Sequence, residues 1–520
     1  LPPGIGALDS NMANDFVYAL QVTADEARDT LVLEATFAPD RMPYEHADLF
    51  ARQLEDSLRL LLEGGACEAS LCATVYPKPL EPDVSDTLLA RFARHAQDTP
   101  DATALTFASS IEPYEATVLS YLELDTLSSR YAAHLAASQD PAVYVHLPRC
   151  IDLYIVLLAA WKAHKVYVPL DPTLPLERLQ YMIQVVGAGT LVTHDTSLAV
   201  PLPRYTLAQL RQDSAWLPTV PRLDVPSYIL FTSGSTGKPK GVQVSHRALA
   251  AALLSWERLL PHTRASRLLQ LASPGFDVSL FEVCLPLGLG FSVATAPKDV
   301  LLTDLEAAFR ALRITMADLP AALAALVHPD HVPPLEWLMS GGDMIDERVV
   351  RAWGAPPHRL INAYGPTEGT IGNTLGFVDG QTRRSVVGDV YPATALYICG
   401  RDSFTAAYTG AVGEIVVGGP QVADGYVGAP DLTAAKFFTL PNGQRVYRTG
   451  DRGRLLADGR VECLGRMERG QVKVNGQRVE LDEIAHELQL EAGVADACVQ
   501  YLQHPAHASR QLAAFLALDQ

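Results

Sequence analysis

Residues 228–241 read Tyr-Ile-Leu-Phe-Thr-Ser-Gly-Ser-Thr-Gly-Lys-Pro-Lys-Gly, and no other run constrains the chain as much. Tyr228 to Phe231 is apolar, with two aromatics and a β-branched residue, which predicts a strand. A loop follows, with Gly234, Gly237 and Gly241, hydroxyls at Ser233, Ser235 and Thr236, and the lysines Lys238 and Lys240. Val242 to Ser245 predicts a second strand. Arg247 to Leu260 has helical apolar spacing, and Ser245 can cap that helix. Strand, Gly/Ser/Thr/Lys loop, strand suits a polyphosphate: glycines admit close approach, amides and hydroxyls donate, and lysines supply charge. The Walker pattern fails at both ends, because Pro239 follows Gly237-Lys238 and Thr232 stands where a Gly is needed. Taken alone, the run also fits a flexible surface loop.

A chain of 520 residues is too long for one ordinary core and predicts three or four lobes. Its 48% hydrophobic and 19% charged content is that of a soluble globular protein. A net charge of −18 with no Lys/Arg run argues against nucleic acid and anionic membranes as partners. The seven cysteines, at 67, 72, 150, 284, 399, 463 and 498, show no Cys-x-x-Cys or Cys/His spacing. That favours reduced thiols and a cytoplasmic setting over disulfides or zinc. No apolar stretch reads as a signal peptide or a membrane span.

Residues 1–75 differ from the rest. Phe16–Thr23 and Leu31–Phe37 alternate like two strands, and Tyr44 to Glu63 has helical spacing. Residues 76–84, with prolines at 77, 79 and 82, read as a linker. A helix is expected from Asp86, then alternating strands and helices to about 400, which is an α/β pattern with a largely parallel sheet. After 410 come short strands and Gly turns (413–417, 446–447, 453–456, 461–464), a β-rich lobe. A small unit begins at Gly465.

The loop at 228–241 resembles the phosphate-binding motif of the adenylate-forming enzymes: nonribosomal peptide synthetase adenylation domains, acyl-CoA synthetases and luciferases. The other motifs follow in the family's order. Leu119 to Leu124 is similar to the first, and Tyr167-Val168-Pro169-Leu170-Asp171-Pro172 to the second, with His164-Lys165 in place of a Gly pair. Phe276-Asp277-Val278-Ser279 matches the fourth, and Asn362-Ala363-Tyr364-Gly365-Pro366-Thr367-Glu368 the fifth. Gly413 through Tyr426 resembles the sixth, Tyr447-Arg448-Thr449-Gly450-Asp451 the seventh, and Gly465-Arg466 with Gln471 to Leu481 the eighth. The resemblance spans about residues 85–520. It implies an adenylation core at 85–464 and a small α+β subdomain, in part, at 465–520. Residues 1–75 resemble the end of a condensation domain.

The resemblance implies ATP and Mg²⁺ as cofactors. Thr232, Ser233, Gly234, Ser235, Thr236, Gly237, Lys238 and Lys240 would cradle the phosphates, and Arg466 would join the nucleotide site. Tyr364 would pack on adenine and Thr367 touch the α-phosphate. Glu368 suits a Mg²⁺ ligand, since a carboxylate beside a triphosphate is repulsive without a metal. Asp451 offers two acceptors to a ribose diol, or stabilises its own turn. Asp277 selects the branch: amid apolar neighbours it needs a partner, which a substrate α-ammonium or a protein cation could supply. Acyl-CoA synthetases generally lack it, so an amino-acid substrate is expected. The pocket carried over is Asp277, Val278, Phe281, Asp318, Met339, Gly341, Ala363, Ile371 and Gly372. Three small residues there suggest room for a large side chain. Asp318 suggests a polar one, unless it caps a helix near Pro320. An acylated hydroxyornithine, as in fungal siderophore synthetases, fits both expectations.

No His-His-x-x-x-Asp-Gly sequence is present, so condensation chemistry is not expected here. An adjacent condensation domain and a phosphopantetheinylated carrier domain are expected as partners within a larger synthetase. The eighth motif has four residues, Met467 to Gly470, where three are usual, which leaves the hinge register open; Glu468 is the candidate. A Pro-Lys-x-x-x-Gly-Lys-like motif with the family's catalytic lysine does not precede Gln520, so slowed chemistry is expected. Two rival readings are a carboxylate–CoA ligase and a non-catalytic scaffold.

Overall fold

The computed structural model describes residues 18–25, 30–37, 79–83, 85–214, 222–233, 238–400, 409–440, 443–467, 471–474, 477–491, 493–503 and 510–518. Two large sheets carry the fold. In the seven-stranded sheet, Ala142–His146 is flanked in parallel by Val166–Pro169 and Gly189–Thr193. Pro226–Thr232 extends this sheet in parallel, and Lys240–Ser245 returns antiparallel beside it. The 14-stranded sheet is parallel through Ser292–Thr295, Arg267–Leu269, Met316–Asp318, Trp337–Gly341 and Leu360–Tyr364. It continues antiparallel through Thr374–Val378, Val386–Val390 and Val461–Arg466 to Arg445–Leu455. The expected α/β class, parallel-rich first and β-rich later, is the one observed.

The helices follow from composition and caps. Ile151–Lys162 is apolar on every face and buried on nearly every face. Its one buried cation, Lys162, is met by the Asp125 carboxylate at 2.6 Å and by the Ser128 and Ser129 hydroxyls. That is the pairing a buried ammonium requires. Ser245 caps His246–Leu259 as expected, accepting from the Ala248 amide. The helix expected from Asp86 is Leu88–Asp98, capped by Thr87. Asp86 instead pairs with Arg91 and Arg94.

Two short strands expected in the late lobe, at 446–447 and 453–456, are one strand, Arg445–Leu455. The turn expected at Asp451 is an irregularity within it: the register shifts beside Asp451, and Gly450 has φ +72°. Strand Val461–Arg466 crosses residue 464, and Arg466 pairs with Asp451 in the ladder. The end of the chain forms an α+β unit: Gln471–Val474 with Gln477–Glu480, helix Leu481–Gln489, and Val494–Gln503 with Arg510–Leu518. The two strands expected near 16–23 and 31–37 are Tyr18–Asp25 and Thr30–Phe37, and they pair antiparallel. The helix expected over 44–63 lies outside the described residues, as do residues 76–78 and 84 of the expected linker.

Candidate active site

Strands Pro226–Thr232 and Lys240–Ser245 pair in register Lys240 to Thr232, so the loop at 233–239 leaves and re-enters one sheet edge. Gly234, Ser235, Thr236 and Gly237 lie outside the described residues. Thr232 Oγ1 is buried with no hydrogen-bond partner among the described residues. The two lysines diverge: exposed Lys238 sits 5.7 Å over the Tyr181 ring, and half-buried Lys240 sits 5.6 Å over the Tyr426 ring.

Tyr426 links the loop to the fifth motif. Its hydroxyl donates to Glu368 Oε1 at 2.7 Å. Burial, with the Glu368 charge beside it, raises the phenol far above its ordinary pKa, so it stays a donor. Glu368 itself is fully buried in the short turn Thr367–Gly369. Among the described residues no cluster of three or more His, Cys, Asp or Glu could hold a metal. One carboxylate is a fitting protein share for Mg²⁺, which usually fills its other positions with phosphate oxygens and water.

Tyr364, at the end of Leu360–Tyr364, donates its hydroxyl to Asp451 Oδ2 at 2.7 Å. Asp451 Oδ1 lies 3.3 Å from Arg466 Nε, an ion pair without hydrogen-bond alignment, and Arg466 Nη1 donates to the Thr449 carbonyl. Tyr364, Asp451 and Arg466 are thus brought together. Asp451 does not serve a local turn: its own amide donates to Thr449 Oγ1, and its carboxylate reaches across to Tyr364 and Arg466.

Asp277 is the first residue of helix Asp277–Leu289. The neighbouring Thr367 hydroxyl and the amides at the helix start favour its charged form, as does the helix dipole. Burial outweighs these contacts and raises its pKa, and the Glu368 charge adds to the rise. No protein cation pairs with this half-buried carboxylate among the described residues. Asp318 ends strand Met316–Asp318. Burial, helped by the Asp277 charge, pushes its pKa up to about 7. The helix-cap alternative for Asp318 does not hold: Ala321–Ala324 starts at Pro320 with no side-chain cap.

The remaining pocket positions share strand ends and the loop after Glu368. Asp318 is the ladder partner of Met339, and Gly341 of Ala363. Val278 is half-buried on the first turn of its helix. Phe281 and Met339 are almost wholly buried, and Phe281 packs edge-on against Trp256 at 5.0 Å. They are wall rather than surface. Gly341 and Gly372 have backbone reasons to be small. A Cβ on Gly341 would stand 2.9 Å from the Ala363 carbonyl oxygen, and one on Gly372 2.9 Å from Tyr391 Oη. They therefore no longer argue by themselves for a large substrate.

Thr370, Ile371 and Gly372 have φ of 59°, 60° and 102°, three consecutive residues in the left-handed region. Fully buried Gln421 holds them: its Nε2 donates to the carbonyls of Gly369, Thr370 and Gly372. Sequence reading missed Gln421 and Tyr426 as site residues. Both sit in the sixth-motif region, Gly413 through Tyr426, and their partners are about 50 residues away in sequence.

A family model described as AMP-binding enzyme matches residues 92–427. The chain is 49% identical over 524 residues to a ferrichrome siderophore peptide synthetase from Mycosarcoma maydis, a match covering 98% of this chain and 12% of that protein. It is 32% identical to nonribosomal peptide synthetase 2 from Gibberella zeae, over 96% of this chain and 11% of that protein. The chain thus spans about an eighth or less of the length of these relatives. Among solved structures it is similar to NpsA-ThdA, an artificially fused adenylation-PCP di-domain from Klebsiella oxytoca, with TM-score 0.74 and 26% identity, covering 85% of this chain and 90% of that one. The nonribosomal peptide synthetase FmoA3 superposes with TM-score 0.71 at 26% identity, covering 86% of this chain and 51% of that one.

Proposed function

The chain belongs to the AMP-binding enzyme family and has the adenylation-domain fold of nonribosomal peptide synthetases, and from that premise we propose that it activates an amino acid with ATP and passes it to a carrier-domain thiol. The observation that carries the amino-acid branch is Asp277. Its half-buried carboxylate lies beside Thr367 and Glu368 with no protein cation among the described residues to neutralise it. A substrate ammonium supplies the missing charge.

In the reaction a substrate carboxylate oxygen bonds to the α-phosphorus as the bond to pyrophosphate breaks. The protein needs no nucleophile, only positioning and charge. Lys240, Lys238 and the loop from Thr232 through Gly237 hold the phosphates. Glu368 would hold Mg²⁺, which neutralises phosphate charge when bound. The Tyr364 ring offers its face to the base, and Asp451, steadied by Arg466, its carboxylate to the ribose. Thr367, beside Asp277, would touch the α-phosphate. Residues 1–75, 76–84, 85–464 and 465–520 are read as condensation-domain-like segment, linker, adenylation core and C-terminal subdomain. The neighbours are a condensation domain and a phosphopantetheinylated carrier, in the cytoplasm. Among the described residues no helix is long and apolar enough to cross a membrane.

For the substrate we favour a polar, extended side chain such as an acylated hydroxyornithine. Asp318 supports this, since its carboxylate makes no hydrogen bond or ion pair among the described residues and stands near Asp277. The likeness to a ferrichrome siderophore peptide synthetase agrees with it. ATP–pyrophosphate exchange across amino acids and plain carboxylic acids tests the reading. Exchange with plain acids alone would move the chain to the carboxylate–CoA ligases, and silence with every acid despite ATP binding would make it a scaffold.

A further inference from the structure

The loop that leads into Asp277 is gripped by three ionisable side chains from three separate parts of the chain. Glu282, fully buried in the same helix as Asp277, accepts the Leu271 amide at 3.1 Å and the Ala272 amide at 2.9 Å. Its Oε2 also accepts from Gln270 Nε2 at 3.0 Å. Arg149, just before helix Ile151–Lys162, donates Nη2 to the carbonyls of the same two residues, Leu271 and Ala272. Asp171, the acid of the second sequence motif, accepts the Ser273 hydroxyl at 2.6 Å. All four backbone polar groups of Leu271–Ala272 are therefore taken by two side chains, the amides by the Glu282 carboxyl and the carbonyls by the Arg149 guanidinium, and the next residue is tied by a third.

The grip is transmitted directly to Asp277. The Ser273 carbonyl accepts the Phe276 amide at 2.9 Å. The Phe276 carbonyl accepts the Ser279 amide at 3.0 Å and hydroxyl at 2.6 Å, and the helix starts at Asp277 between them. The arrangement is costly. Arg149 keeps Nε and Nη1 buried with no partner among the described residues, and buried charges are retained only where something offsets them. Burial and the Asp318 charge also push Glu282 up to about 8. A loop that only joined a strand to a helix would need none of these buried ionisable groups.

We infer that Arg149, Asp171 and Glu282 are positioning residues that set the Asp277 carboxylate for the substrate ammonium. The inference rests on the amino-acid reading of Asp277. It also explains the acid of the second motif: Asp171, just past strand Val166–Pro169, fixes the loop from the neighbouring sheet.

The test uses the whole chain with ATP–Mg²⁺ and N5-acetyl-N5-hydroxyornithine, or the best amino acid of the exchange panel. Glu282→Gln, Arg149→Met and Asp171→Asn should each raise the amino-acid KM by about 10- to 100-fold, as small misplacements do. In the same variants kcat should fall less than about threefold and the ATP KM move less than about twofold, since the grip lies on the amino-acid side. Glu282→Gln and Arg149→Met combined should cost less than the product of the two, because they hold the same dipeptide. Amide exchange at Leu271 and Ala272, read on the substrate-free chain, should speed up in both. Should Glu282→Gln not fold, Asp171→Asn with Ser273→Ala carries the same cycle at a half-buried position. Loss of amide protection with an unchanged amino-acid KM overturns the inference, as does a parallel rise of both KM values. A wild-type chain idle with every amino acid fails the functional reading and this inference with it, a result distinct from active wild type with unaffected variants.

Discussion

The Tyr364 hydroxyl donates to Asp451 Oδ2 at 2.7 Å across 87 residues of sequence, joining the fifth motif to the seventh. Asp451 reaches that position because the Gly450 irregularity re-aims it within Arg445–Leu455. The two residues proposed for base and ribose therefore hold each other before nucleotide arrives. Asp451→Ala removes the ribose acceptor and the Tyr364 partner together. It should weaken ATP binding by about 10- to 100-fold, or roughly 1.4–2.8 kcal/mol, in calorimetry with Mg²⁺. Tyr364→Phe keeps the ring and should cost less. Equal affinities in all three proteins would remove both residues from the nucleotide site.

Asp277→Ala should abolish amino-acid-dependent exchange while ATP affinity stays within about threefold, because its charge serves the ammonium. An unchanged amino-acid profile in this variant would rule out the ammonium role.

Tyr426→Phe takes one donor from the buried Glu368 carboxylate. An unmade hydrogen bond to a buried charge costs on the order of 1–3 kcal/mol or more. The variant should unfold at lower denaturant and need more Mg²⁺ for half-maximal exchange. A wild-type denaturation midpoint would mean that the Tyr426 contact contributes nothing.

Asp318 makes stability depend on pH. Its folded pKa is about 7 against an ordinary 3.8. Between those values the folded chain holds more protons than the unfolded one, so stability falls as pH rises through the window. Glu282 extends the same trend to about 8. The groups facing Asp318 are Asp277, Glu282 and Tyr391, none of them a cation. Asp318→Asn should match wild type near pH 4 and melt at higher temperature near pH 8. Melting curves offset equally at both pH values would refute the assignment.

Gly372→Ala should destabilise by about 1 kcal/mol or more, since φ of +102° disfavours a side chain and the new Cβ meets Tyr391 Oη. Gly341→Leu should do the same by pressing on the Ala363 carbonyl. If either variant kept full stability and only narrowed substrate choice, its glycine would be there for pocket volume.

Local patterns in the chain were readable where cause and effect are neighbours. Ser245 capping its helix, the strand at 228–231 and the β-rich character after 410 all follow from adjacent residues. The resemblance placed Tyr364 and Asp451 in one site by analogy. What stayed hidden depends on distant pairings. Gln421 and Tyr426 look like ordinary residues of a glycine-rich stretch until the sheets bring Gly369 and Glu368 beside them. The grip on Leu271–Ala272 draws on residues 149 and 282, which no periodicity connects. Glycines misled most: Gly341 and Gly372 suggested empty volume, whereas neighbouring atoms and backbone twist account for their size.

The corner at Thr370–Gly372 limits how freely this specificity could be moved between proteins. A graft copying only the lining side chains would set Ile371 on a host backbone with no reason to adopt the mirror-image twist. Gln421 would have to travel with the graft, and Asn373 too, whose Nδ2 donates to the Gly369 carbonyl. The portable unit of selectivity is therefore the bend together with its brace, and recoding by side chains alone should yield recipients that fold but choose poorly.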